Sequence, residues 1–98
     1  MHLLTMTEKQ EETYNNLLKI PGIYRPPYPN YEDLIYLTVI GRGITAGIQI
    51  HKSGDFSFFI PDRGRRRYIK DVDAFIERLS PPTVVGFAFH LDKLYIIK

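Results

Sequence analysis

The strictest constraint in this chain is the alternation from Ile44 to His51. Ile44, Ala46, Ile48 and Ile50 fall on one parity, and Thr45, Gly47, Gln49 and His51 on the other. A period of two belongs to a half-buried β-strand, with one row on a core and the other facing away. Gly41-Arg42-Gly43 precedes the stretch and Lys52-Ser53-Gly54-Asp55 follows it. Glycine there supplies the positive φ of tight hairpins. The neighbours, Leu34 to Gly41 and Phe56 to Ile60, are therefore expected to pair with it antiparallel. The centre of the chain reads as a three-strand meander.

A helix is expected on either side of this meander. Over residues 5–19, Thr7 is the expected N-cap, and Gln10 stands three residues on to complete a capping box. Tyr14, Leu17 and Leu18 give that helix a short apolar stripe, and Pro21-Gly22 ends it. Residues 71–79 read as a second helix. Asp71 and Asp73 lie at its positive N-terminal end. Val72, Phe75, Ile76 and Leu79 recur at helical spacing and face the core.

Two segments complete the chain. Residues 20–33 form a Pro/Tyr-rich loop in which prolines remove the donors that a ladder strand needs. After residue 79, Ser80-Pro81-Pro82 reads as a helix stop. Val84 to Lys98, nearly all apolar, then reads as two strands joined at Asp92-Lys93. In that reading Val85, Phe87, Phe89 and Leu91 share one face, opposite Gly86, Ala88 and His90.

The expected order is α-β-β-β-α-β-β. Its economical packing is an α+β two-layer sandwich, a mostly antiparallel sheet with both helices on one face. A small barrel closed by the terminal hairpin is the alternative. At 98 residues, with 44% hydrophobic and 24% charged side chains, the chain reads as a single domain over 1–98. It has no apolar run of membrane-spanning length, and Met1-His2-Leu3-Leu4 does not open a signal peptide. Cysteine is absent, which excludes disulfides and thiolate metal sites and fits a cytoplasmic chain.

The overall charge of +2 points to no partner, but its distribution is uneven. Between residues 42 and 70, Arg42, Lys52, Arg63, Arg65, Arg66, Arg67 and Lys70 face only Asp55 and Asp62, a local net of +5. A concentrated positive field attracts polyanions whatever the net charge. Guanidinium groups fork onto phosphates and stack on bases. If Ile48 and Phe58 point inward, Tyr36 and Phe59 share the open sheet face. Aromatic platforms rimmed by arginine hold single strands.

The reading is a small nucleic-acid-binding protein using Arg42, Arg63, Arg65, Arg66, Arg67, Lys70, Tyr36 and Phe59. The alternative is a protein-interaction module with no enzymatic activity, such as a small viral or plasmid regulator or inhibitor of a host complex. It would use the same arginines against an acidic partner, with Tyr24, Tyr28, Tyr31 and Tyr36 as anchors. The terminal strand Leu94-Tyr95-Ile96-Ile97 offers an edge for a homodimer.

Catalysis, metal and cofactor find no support in the residue pattern. His2, His51 and His90 have no metal-pair spacing, and Asp71 and Asp73 are explained as helix-capping residues. Gly41-Arg42-Gly43 lacks the helix that a phosphate loop requires. The Pro-x-x-Pro spacing near Tyr24 is explained by the loop.

Overall fold

The computed structural model describes residues 6–26 and 35–96. Helix α1 spans Glu8–Leu18, and its capping box is complete. Thr7 Oγ1 accepts from the Gln10 backbone N–H, and the Gln10 side chain accepts from the Thr7 backbone N–H. Strands follow at Ile23–Tyr24 (β1), Tyr36–Gly41 (β2), Ile44–Ile50 (β3), Asp55–Asp62 (β4) and Arg65–Tyr68 (β5). Two helices come next, α2 at Val72–Glu77 and α3 at Pro81–His90. A 3-10 turn at Leu91–Lys93 leads to a final strand, β6, at Tyr95–Ile96. The fold is α+β. Strands β1 to β5 form an antiparallel sheet in sequential order, and β6 adds to β4 in parallel.

Three expectations need correction. The order is α-β-β-β-β-β-α-α-β, because the arginine segment pairs as a strand and the apolar terminus is largely helical. Ser80-Pro81-Pro82 starts a helix instead of ending one: Ser80 is the N-cap, with Pro at the first helical positions. Proline is pre-organised there and has no donor to lose. The segment from Val84 is thus not two strands, and Asp92-Lys93 is no hairpin. Of Val85, Phe87, Phe89 and Leu91, only Phe87 is buried. An apolar run does not separate buried helix from strand by periodicity.

The Pro/Tyr-rich loop also yields a strand where none was expected. Ile23 and Tyr24 stand between Pro21 and Pro26 and keep their own N–H groups, so β1 pairs with Val39 and Thr38 of β2. The prolines and tyrosines from 27 to 34, the N-terminal residues 1–5, and Ile97 and Lys98 lie outside the described residues.

The core follows the strand alternation. Leu37 and Val39 of β2, Ala46, Ile48 and Ile50 of β3, and Phe56 and Phe58 of β4 are buried in one cluster. Leu17 of α1, Val72, Phe75 and Ile76 of α2, and Phe87 of α3 join it. Phe58 lies 5.0 Å from Phe75 and 5.7 Å from Phe87 between ring centroids. A fully buried side chain of this kind contributes about 1.5–3 kcal/mol. Polar ties dock α1: Gln10 Nε2 donates to Ile50 O (3.1 Å) and Thr13 Oγ1 to Gly54 O (2.6 Å).

Candidate nucleic-acid interface

Two Arg-Gly turns build one end of the sheet. Arg42 (φ 50°) and Gly43 (φ 76°) join β2 to β3, and Arg63 (φ 51°) and Gly64 (φ 78°) join β4 to β5. Positive φ at both central residues is the turn whose twist matches the strands it joins. Arginine is uncommon in that region. Here the pairs Gly41↔Ile44 and Asp62↔Arg65 close the ladders on either side and hold it. Antiparallel strands reverse direction at each step, so both turns lie at the same end. No atom lies within 4 Å of where a Cβ on Gly43 or Gly64 would stand, so both tips are clear.

The β3–β4 ladder is cut short at Pro61. His51 N–H donates to Asp55 O (2.8 Å). The residues of β4 that bond β3 are therefore Asp55, Ser57, Phe59 and, by the same parity, residue 61. Pro61 has no donor to give, and the β3–β4 pairing stops at Gly47↔Phe59. On the other side, Ile69 N–H donates to Phe58 O (2.9 Å). Hydrogen-bonded pairs there fall on even positions of β4, and Pro61 costs that ladder nothing. Ile60, Pro61 and Asp62 therefore continue to pair with Arg67, Arg66 and Arg65. Every residue from Pro61 to Tyr68 is exposed. The basic segment is a two-stranded hairpin, with Arg65 and Arg67 on one face, Arg66 on the other, and Arg63 at the tip.

The aromatic face is only partly open. Phe59 and Tyr36 do share the face away from the core, 6.2 Å apart edge to face. But Phe59 is only 5% exposed. Its ring lies on Gly47, where an added Cβ would come within 2.2 Å of Phe59 Cζ. Tyr36 is half-buried. Tyr68 of β5 stands opposite Phe59, with ring centroids 6.0 Å apart, and is 45% exposed. Its hydroxyl donates to Gln49 Oε1. Tyr68 closes the basic segment in the sequence but stands outside the expected site residues, although a two-residue turn at Arg63-Gly64 sets it opposite Phe59 by counting alone.

Lys70 and Arg67 belong elsewhere. With Arg78, the C-cap of α2, they line a cavity of about 400 Å³ whose apolar wall includes Ile44, Ile60 and Phe75. Asp71 also borders it, but its Oδ1 is engaged by the Ala74 N–H (3.1 Å) as the cap of α2. The basic residues thus reach three places: the sheet-end tips, both faces of the hairpin, and this groove. Only Arg66 shares the face of Tyr36 and Phe59.

His51 Nε2 and Ser57 Oγ share a hydrogen bond (2.9 Å). His90 Nδ1 is buried without a hydrogen-bond partner beside the Phe89 ring. Among the described residues, no three His, Cys, Asp or Glu side chains are grouped to hold a metal ion, and no helix is long and apolar enough to cross a membrane. Compared with protein-family models, curated proteins and solved structures, the chain matches none.

Proposed function

We propose that this chain is a small nucleic-acid-binding protein that acts by binding and not by catalysis. The observation that carries the reading is the exposed basic hairpin at one end of the sheet. Arg63, Arg65, Arg66 and Arg67 stand exposed on the β4–β5 hairpin, with Arg63 at its turn. Arg42 adds a further cation at the same end of the sheet. Cations gathered on one hairpin concentrate the positive potential that phosphate contacts need. In this reading all helices lie on one face of a two-layer sandwich, which leaves the hairpin and the opposite sheet face to the ligand. A cytoplasmic site of action goes with such a partner.

The test is anisotropy with labelled DNA and RNA over a salt series. Affinity should fall linearly with salt on logarithmic axes, by a slope of about −0.9 per phosphate neutralised on duplex DNA. The R65Q/R66Q/R67Q variant should flatten that slope by about 2–3 and weaken all sequences alike. Absence of binding to any nucleic acid at roughly 50 mM salt, where such contacts are strong, would sink the reading.

One observation favours a second reading, a protein-interaction module. Helix α3 is apolar nearly all round, yet Val85 (66%) and Phe89 (76%) are exposed, with Leu91 just beyond. Exposed apolar faces of this kind mark contact surfaces. A photo-crosslinking residue at position 66 or at position 89 separates the two readings. Nucleic-acid adducts at 66 support the first. Protein adducts at 89, with none to nucleic acid at 66, support the second.

A further inference from the structure

We infer that the groove between α2 and the β4–β5 hairpin is a binding site for a nucleoside 5′-monophosphate, taken free or as the phosphorylated end of a strand. The free nucleotide goes beyond the reading above, and the strand end rests on it.

The groove exists because α2 covers only part of the sheet beneath it. Its Phe75 ring meets Phe58 of β4 at 5.0 Å. Ile60, two residues further along β4, points to the same side by alternation, yet it is only half-buried. Ile44 of β3 is half-buried as well. Helix α2 is already capped at Arg78, and the chain turns into α3, whose N-cap Ser80 lies against Gly41 of β2. Ile44 and Ile60 are thus left as one wall of a cavity of about 400 Å³.

The rim of this cavity is cationic. Arg67 stands opposite Ile60 in the β4–β5 register, which puts it on the helix side of the sheet. Lys70 follows in the connection to α2, and Arg78 comes from the far end of that helix. Among the described residues that line the cavity, Asp71 is the one carboxylate. Its Oδ1 accepts from the Ala74 N–H (3.1 Å). Three cations against one carboxylate leave an excess of two positive charges.

That balance selects the class of ligand. A phosphate monoester carries about −1.5 to −2 at neutral pH, whereas a carboxylate or an internal phosphodiester carries a single charge. Arginine forks onto phosphate oxygens, and lysine meets them as a point charge. The apolar wall asks for an uncharged, flat body beside the phosphate, which a base supplies. Small-molecule sites run from about 300 to 1,000 Å³, so this cavity suits one nucleotide and not a run of strand.

The test is an amide NMR titration of the full chain with the four common nucleoside 5′-monophosphates, their nucleosides and inorganic phosphate. At least one monophosphate should bind and shift the amides of residues 67–78. The matching nucleoside and inorganic phosphate should each bind more weakly by roughly tenfold or more. R67Q, K70Q and R78Q should each weaken the nucleotide by about tenfold, the loss expected for a hydrogen bond to a charged group. K52Q removes the same charge from the β3–β4 turn, at the other end of the sheet, and should change nothing. A74W fills the groove from an exposed helix position with no change in charge, and it should abolish binding. A short DNA strand with a 5′-phosphate, compared with the same strand ending in a 5′-hydroxyl, separates the two sources. If the strand end is the ligand, the phosphorylated form binds more tightly by roughly tenfold, and R78Q removes the difference. Nucleotide binding with no binding of the 5′-hydroxyl strand ends the nucleic-acid reading and leaves the groove assignment standing. Inorganic phosphate as tight as the nucleotide overturns the nucleotide assignment. No monophosphate bound up to millimolar concentration, together with equal binding of the two strands, overturns the inference altogether. Circular dichroism of each variant distinguishes a lost ligand from a lost fold.

Discussion

Single residues decide how much of the aromatic face is usable. Gly47 is the seat of the Phe59 ring, and its φ is not in the left-handed region, so alanine is sterically allowed by the backbone alone. A Cβ there collides with Phe59 Cζ and must push the ring out. Overpacking of this sort costs about 1–3 kcal/mol, and the reduced freedom of the unfolded chain returns about 0.4–1. Gly47→Ala should therefore lose roughly 1–2 kcal/mol in urea denaturation. If stacking were the binding mode, the released ring would raise single-strand affinity. Phe75 is the corresponding test of the core. It lies under Phe58 at 5.0 Å, and Phe75→Ala should cost about 3–5 kcal/mol. An unchanged melting curve would mean that the helix stripe is misassigned. The stripe was legible because helical spacing alone predicts it. The seating of Phe59 was not, because it depends on the register Gly47↔Phe59 between strands.

At the scale of elements, legibility tracked how far a signal stands from its partners. The capping box of α1 and the alternation of β3 are local and were read directly. Ser80-Pro81-Pro82 was ambiguous in principle, since proline both follows one helix and opens the next. Strand β5 has a run of arginines that no propensity scale favours; the turn and the β4 register make it a strand. The end of the β3–β4 ladder hangs on Pro61. Pro61→Val restores an N–H at the parity that faces β3, opposite Thr45. The regained hydrogen bond contributes about 0.5–1.5 kcal/mol, and the lost proline rigidity costs about 0.4–1, so stability should change by less than about 1 kcal/mol. What should change is the ladder. The residue-61 amide should be protected from hydrogen exchange, and the exchange of its β3 neighbours should slow. An unprotected amide at residue 61 would mean that the β3–β4 ladder ends for a reason other than the proline.

Across the whole molecule, folding gathers cations that the sequence keeps apart. Arg42 and Arg63 come to one end of the sheet, and Arg67, Lys70 and Arg78 come to one groove. Neighbouring positions such as Arg65 and Arg66 repel one another in the unfolded chain as well, so they cancel in the stability difference. The long-range pairs do not cancel. Their repulsion acts over a Debye length of about 30 Å at 0.01 M salt and about 8 Å at 0.15 M. The free protein should therefore melt at a higher temperature as salt rises between those limits. A bound polyanion reverses the sign. Duplex present at about 100 times its dissociation constant stabilises by about 2.7 kcal/mol, which for a domain of this size raises the Tm by roughly 10–20 °C. That increment must shrink with salt, because the dissociation constant itself rises with salt. Two melting series, one free and one with duplex, should thus slope in opposite directions and converge at high salt. In R65Q/R66Q/R67Q the free series should keep most of its rise, since Arg42, Arg63, Lys70 and Arg78 remain, while the duplex increment should largely vanish. Parallel slopes with and without duplex would show that the gathered charge does not meet nucleic acid, and would shift attention to the apolar outer face of α3.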